Sequence, residues 1–315
     1  MVWLYQYGVF VFNQRMSEVF KGMLLGFLAI ICFSGTFPAT RLAVMHLDPM
    51  LVGLGRSLFV AGPALLFLRI AKFPLPSNRQ WKSLVIVMLG IVIGFPWLTS
   101  LAMQNMQAGQ GGIVASMIPL FTAIAAALRL RQRPSMGFWL MALLGSGLVL
   151  IYLLWGQQGG LQESELILLG ASVVCAVGYA EGGKLAREMG GIAVISWALV
   201  LSVPLSLLLI MIYLKDAQLS ELWQSVNHAP LSSWIGFFYT SVISQWVGFM
   251  FWYKGLALGG VIRVSQTQLL QPFLTLWVSM LLLNEQVTLH MLFFAVAVVL
   301  TVAIGRKMPI YETRV

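Results

Sequence analysis

Ten stretches of about 20 residues, each almost free of charge, limit what this chain can become. A helix rising about 1.5 Å per residue needs that length to cross roughly 30 Å of hydrocarbon. The stretches, numbered here as spans one to ten, are 21–40, 50–70, 82–102, 109–129, 136–155, 165–185, 192–213, 232–254, 260–282 and 288–306. Only 9% of the 315 residues are charged, against about a quarter in a soluble domain. The bilayer is therefore the solvent. Backbone groups in lipid must be satisfied internally, which leaves helices or closed barrels. Barrel strands would alternate over about 10 residues, and no such segments occur. The chain reads as an all-α integral membrane protein of ten transmembrane helices.

In a soluble protein the net charge of +9 would suggest nucleic acid as a partner. Here it sets orientation, because Lys and Arg stay on the cytoplasmic side during insertion. With the N-terminus inside, 16 of the 19 Lys and Arg residues fall on that side. Arg41 and Lys215 fall on the other, and Arg56 lies within span two. This asymmetry predicts an even number of spans and both termini in the cytoplasm, in a bacterial-type inner membrane. Membrane lipid is then an obligatory partner and nucleic acid is not one.

Residues 1–20 read as an N-terminal extension. Their apolar run is too short to span, and no basic region or cleavage site marks a signal peptide. They are either interfacial or an artefact of start assignment, since Met16-Ser17-Glu18 looks like a natural beginning. The Gly-rich joint 156–164 then divides the chain into halves, 21–155 and 165–306, with a cytoplasmic tail at 307–315. "CFSGTFPATRLA" (32–43) aligns with "CAVGYAEGGKLA" (175–186), 143 residues apart. Trp97 matches Trp252 and Pro119 matches Pro272, at offsets of 155 and 153. Span one starts inside and span six outside, so these matches predict two inverted five-helix repeats, an architecture typical of secondary transporters. The longest linker, around 214–231, falls outside and suits a short surface helix after Ala217.

These segments also resemble a known family, the EamA-type ten-helix members of the drug/metabolite transporter superfamily, over about residues 20 to 306. The resemblance rests on the small-residue first span "CFSGTFPATRLAV", on "LDPMLVGLGRSLFVAGPALL" with Pro49 and Arg56, and on the second half from "LGGVIRVSQTQLLQPF" onward. There a mid-helix proline, Pro272, is followed about thirteen residues later by an acid, Glu285. The first half departs from that pattern, with Gln132 where the acid is expected after Pro119, and Phe33-Ser34-Gly35 where the family has Trp-Gly. The resemblance implies a small-molecule transporter. The family carries amino acids, other metabolites and drugs, so it does not name the substrate.

Polar stripes within the spans mark candidate sites, since a polar side chain in hydrocarbon needs a partner or a cavity. In span nine Ser265, Gln268, Gln271, Thr275 and Ser279 share one helical face, with Gln266 on the other side. Such a stripe either lines a cavity or bonds neighbouring helices. Gln245 and Ser244 in span eight, and Ser116 in span four, extend the candidate lining, with Trp97, Trp252 and Tyr179 as apolar or stacking surfaces. Pro38, Pro119 and Pro272 are candidate helix breaks.

Intramembrane charges are functional candidates by default. Glu181 is either a proton-coupling carboxylate or a structural partner of Lys184, one turn on. Arg56 either binds an anionic group or is structural near the outer mouth. Arg41 and Lys184 match across the halves and are either gate elements or interfacial cations. Glu285 precedes Thr288, a suitable N-cap for span ten, and reads as structural.

No Walker loop, HExxH, GxSxG or CxxC motif occurs, so an enzyme or ATP-driven pump is not expected. Cys32, Cys175 and the scattered histidines make no metal set, and no cofactor is expected. The sequence predicts a secondary transporter of a small metabolite, an amino acid or relative, working by alternating access as monomer or dimer. Export is favoured, with the proton as coupling ion. A drug, organic-anion or nucleotide-conjugate carrier is the alternative within transport; a channel or lipid scramblase is the alternative outside it.

Overall fold

The structure, a computed structural model, describes residues 18–129, 132–155, 162–216, 219–260, 264–305, 307–308 and 310–312. Most of the N-terminal extension and of the joint at 156–164 lies outside these residues, as does Arg263. Each of the ten apolar stretches is helical where described. Six helical segments are long and apolar enough to cross a membrane, and shorter apolar helices accompany them. Leu28, Ile31, Leu66, Leu143 and Leu281 are exposed along these helices, as side chains that face lipid must be. Helix Leu219–His228 fills the longest linker, where a surface helix was expected. Two three-residue strands were not foreseen: Gln132–Pro134, after span four, pairs antiparallel with Ile310–Glu312 near the C-terminus.

Five spans are interrupted rather than uniform. Span one is two helices, Glu18–Ser34 and Thr36–Val44. Span four is Ala108–Ala115 followed by Ile118–Arg129. Span nine begins as a 3-10 helix, Ser265–Leu270, and continues as Gln271–Leu283. Pro38, Pro119 and Pro272 each fall within the first turn of the second segment, where a missing N–H costs least. Spans three and eight carry wider π-helical turns in mid-span, Met88–Gly94 and Tyr239–Gly248. The 3-10 start corrects the uniform 100° spacing expected for span nine. Its polar face survives because residues three apart eclipse in a 3-10 turn, which stacks Ser265, Gln268 and Gln271.

The interruption of span one frees backbone groups, and side chains from distant spans surround it. Pro38 cannot donate to the carbonyl of Ser34, four residues back; Thr275 Oγ1 of span nine donates to it instead, at 3.1 Å. Tyr239 of span eight donates to the carbonyl of Cys32 at 3.0 Å and lies against Gly35, where any Cβ would collide with its hydroxyl. Thr36 and Ser244 share a hydrogen bond of 2.7 Å across the same break.

The helices meet closely along glycines. A Cβ on Gly22 of span one would lie 2.5 Å from the backbone nitrogen of Gly259, and one on Gly255 would lie 2.8 Å from the carbonyl of Gly22. In spans three and six, a Cβ on Gly90 would lie 2.9 Å from the carbonyl of Val174. Small residues are what permit such approach in a membrane.

Two outcomes test this packing. Gly22→Ala should destabilise the protein by about 1–3 kcal/mol through overpacking, whereas Gly147→Ala, whose Cβ meets nothing within 4 Å, should not. Equal melting temperatures for both variants in detergent would contradict the seam. Thr275→Val should cost about 1–3 kcal/mol by stranding a buried carbonyl; an unchanged melting temperature would show that Ser34 has another donor.

Candidate functional site

The centre of the bundle holds an unusual residue for a hydrophobic core, an arginine. Arg56 is 1% exposed, among the largest fully buried side chains, beside Trp252 and Tyr253. It projects inward from helix Pro49–Ile70. Its Nε donates to Oε1 of Gln245, and Gln245 Nε2 donates to the carbonyl of Val92 at 3.2 Å. Val92 is the residue whose carbonyl Pro96, four positions on, leaves without an α-helical donor. One glutamine thus joins spans two, three and eight, and links their two π-helical turns.

Around this arginine the other groups connect in sequence. Arg56 lies within electrostatic range of Cys175, whose thiol meets the Tyr179 hydroxyl. Tyr179 in turn meets Gln268. Its ring packs at a tilt against Trp252, with centroids 5.3 Å apart, and edge-on against Phe249 at 5.8 Å. Phe33 closes the aromatic wall, 6.0 Å from Trp252. Tyr253 is fully buried and donates to the carbonyl of Gly178 at 3.3 Å.

Three polar atoms in this cluster lack a hydrogen-bond partner: Nη1 of Arg56, Nε1 of Trp252 and Oε1 of Gln268. Buried polar groups are almost always satisfied, and leaving one unsatisfied costs about 1–3 kcal/mol, more when it is charged. Two donors and one acceptor of this buried region are therefore without a partner among the described residues.

Other expected lining residues serve the scaffold. Ser244 seals the span-one break, and Ser116 Oγ donates to the carbonyl of Ile113 at the break of its own span. Thr275 and Ser279 are fully buried, and Ser279 Oγ donates to the Thr275 carbonyl. Gln271 is half-buried at the start of its helix. Trp97, though matched to Trp252 in sequence, is half-buried with its Cα where a Cβ on Gly53 would sit, and makes no ring contact with Tyr179 or Trp252 among the described residues. The side chain of Gln266 lies outside the described residues.

The charged candidates sit at opposite ends of the bundle. At the arginine- and lysine-rich end, Glu181 accepts from Arg129 Nε at 2.7 Å and from Ser83 Oγ at 2.6 Å. Its partner is therefore Arg129 of span four, not the Lys184 one turn away. The Glu181 side chain is 5% exposed and that of Arg129 is 41% exposed. Lys184 is exposed and lines a cavity of about 280 Å³ with Arg129, Ala180 and Glu181. The sequence drew attention to Glu181 but did not point to Arg129 or Ser83 as its partners.

At the far end, Arg41 donates from Nη1 to the carbonyls of Met103, at 2.6 Å, and Gln104, which close span three. Beside it is a cavity of about 410 Å³ lined by Val44, Met45, His46, Gln104 and Asn105. Arg41 and Lys184 are thus unlike in their contacts despite their matched positions. Glu285 is corrected in its partner: its carboxylate accepts from the amides of Ala108, at 2.8 Å, and Gly109, at 2.9 Å. It caps the N-terminus of span four in the other half, where a negative charge suits the helix dipole. Thr288 does cap span ten, accepting from the amide of Met291 at 3.2 Å. No group of His, Cys, Asp and Glu able to hold a metal ion occurs among the described residues.

Comparison with known proteins identifies the family. A protein of Bacillus subtilis (strain 168), named as the uncharacterized transporter YdeK, is 39% identical over 295 residues, covering 93% of this chain and 99% of that protein. A solved crystal structure superposes with a TM-score of 0.60 over 90% of this chain and 95% of the other; at 17% identity the likeness shows the fold alone. The model of the EamA-like transporter family matches residues 20–154 and 163–305. The chain belongs to the EamA-like transporter family, and is a multi-pass membrane transporter.

Proposed function

We propose that this transporter is a secondary carrier for a small zwitterionic metabolite, an α-amino acid or close relative, working by alternating access. The observation that carries this reading is the set of unpartnered atoms at the centre. Arg56 Nη1 and Trp252 Nε1 are donors suited to a carboxylate, and Gln268 Oε1 is an acceptor suited to an ammonium group. The rings of Trp252, Tyr179 and Phe249 offer an apolar surface to the remainder of the ligand.

The two closed ends supply the other part of the mechanism. Access from the basic end requires spans three, four and six to part, and Ser83, Arg129 and Glu181 tie these three together. Access from the far end requires the Glu285 clamp on span four and the Arg41 clamp on span three to release. The positive-inside rule places the basic end, and both termini, in the cytoplasm of a bacterial-type inner membrane. The cavity there offers both signs of charge, which suits collection of a zwitterion from the cytoplasm and favours export. Protonation of Glu181 would remove the charge that Arg129 pairs with, so the proton is the coupling ion in this reading.

Thermal unfolding of the purified protein tests the ligand class, because a compound that binds the folded state raises its melting temperature. L-Leucine should raise it more than leucine methyl ester, which has no carboxylate, or isocaproate, which has no ammonium. Arg56→Gln should abolish the shift. A shift with isocaproate equal to that with leucine would favour the organic-anion alternative, since Gln268 would then have no ligand role. Counterflow in proteoliposomes tests the coupling: Glu181→Gln should lose the pH dependence of transport, and an intact pH profile would remove Glu181 from the coupling step.

A further inference from the structure

The contact between Arg56 and Gln245 joins a charged donor to a neutral acceptor inside a hydrophobic core. It is an incomplete solution to burying a charge. A guanidinium buried without a carboxylate gives up much of its hydration for a single neutral hydrogen bond, and its Nη1 is left with none. Gln245 differs from the other buried polar side chains of span eight. Ser241 donates to the carbonyl of Phe237, on its own span, and Ser244 supports the break in span one. Gln245 does neither. Its oxygen accepts from Arg56 and its nitrogen donates to the Val92 carbonyl, and it is fully buried. It also sits within one π-helical turn and bonds to another. Such turns are single-residue irregularities of helices that recur at functional sites.

We propose that Gln245 is a stand-in ligand: it occupies the arginine in the empty protein and yields it to the carboxylate of the transported molecule. This rests on the reading of Arg56 as the carboxylate site. A carboxylate on the Nε–Nη2 edge of the guanidinium accepts two N–H bonds in parallel and binds about twice as strongly as a neutral acceptor, so a ligand that takes that edge displaces the amide oxygen from Nε. The displaced amide then has only the Val92 carbonyl. Ligand arrival is thereby felt at a point where one side chain joins spans two, three and eight, and the link between the two π-helical turns loses its third member. Gln245 is a positioning residue, acting on the ligand through Arg56.

Substitutions at Gln245 give opposite signs for this role and for a plain structural one. Gln245→Glu places a carboxylate beside Arg56 permanently. If Gln245 is a stand-in, the ligand-free variant melts at a higher temperature than the parent, and leucine binding weakens by about 10- to 100-fold, the worth of one charge-assisted hydrogen bond. If Gln245 only bridges helices, the variant melts lower, because a carboxylate cannot donate to the Val92 carbonyl. Gln245→Leu removes the competitor. It should lower the ligand-free melting temperature yet enlarge the shift produced by L-leucine. A folded Gln245→Leu protein that no longer responds to leucine, while the parent does, would overturn the proposal by making Gln245 a direct contact. If the parent itself shows no response to leucine, the reading of the ligand fails, but the ligand-free order Glu above Gln above Leu still decides whether Arg56 awaits a carboxylate.

Discussion

Broken and irregular helices in this protein are completed from other helices at several points, and much of the structure depends on that. Hydrocarbon offers no water to an unpaired carbonyl or amide, so a broken span is stable only beside a partner that completes it. The carbonyl of Ser34 is completed by Thr275, that of Val92 by Gln245, and the amides of Ala108 and Gly109 by Glu285. In each case donor and acceptor come from opposite sides of the Gly-rich joint. The first half of the chain therefore cannot present its broken helices without the second. The same requirement explains why these spans cluster at the centre, where irregular backbone is tolerated because protein surrounds it.

The arginine follows from that arrangement. Isolated in lipid, Arg56 would be strongly unfavourable, but the break-repair network brings a buried amide to it and a protein-lined interior around it. Its neighbours are Gln245, which accepts from it, and Cys175, within electrostatic range. The ends of the bundle are held differently. The basic end is fastened by an ion pair, the far end by a carboxylate on backbone amides and a guanidinium on backbone carbonyls.

Much of the fold was legible in the sequence because lipid allows so few solutions. Span length, the surface helix after span seven and the breaks near Pro38, Pro119 and Pro272 all follow from local composition. The π-helical turns were not legible: their residues, Met88–Gly94 and Tyr239–Gly248, read as ordinary apolar helix, and the extra residue per turn answers to packing rather than to propensity. At the site, the buried glutamines and Tyr179 stood out because polar groups in oil are conspicuous. Their partners did not. Arg129 counted as one of many basic residues at a helix end, and nothing in the string distinguishes it as the residue that reaches Glu181. Glu285 was legible as a cap but not as a cap of a helix 177 residues away. The matched pairs Arg41 with Lys184 and Trp97 with Trp252 misled in the same manner, since sequence correspondence preserves position in a helix but not neighbours in space.

The glycine contacts carry a mechanical consequence. Where Gly22 meets Gly259, and Gly90 meets Val174, two backbones approach across a glycine, and the neighbouring side chains Ile91 and Val264 fill against Gly178 and Gly259. Interlocked side chains set a minimum distance between two helices. Glycine removes that limit, so spans one and eight, and spans three and six, lie closer than larger residues would allow, and each such glycine fixes the spacing of two spans at once.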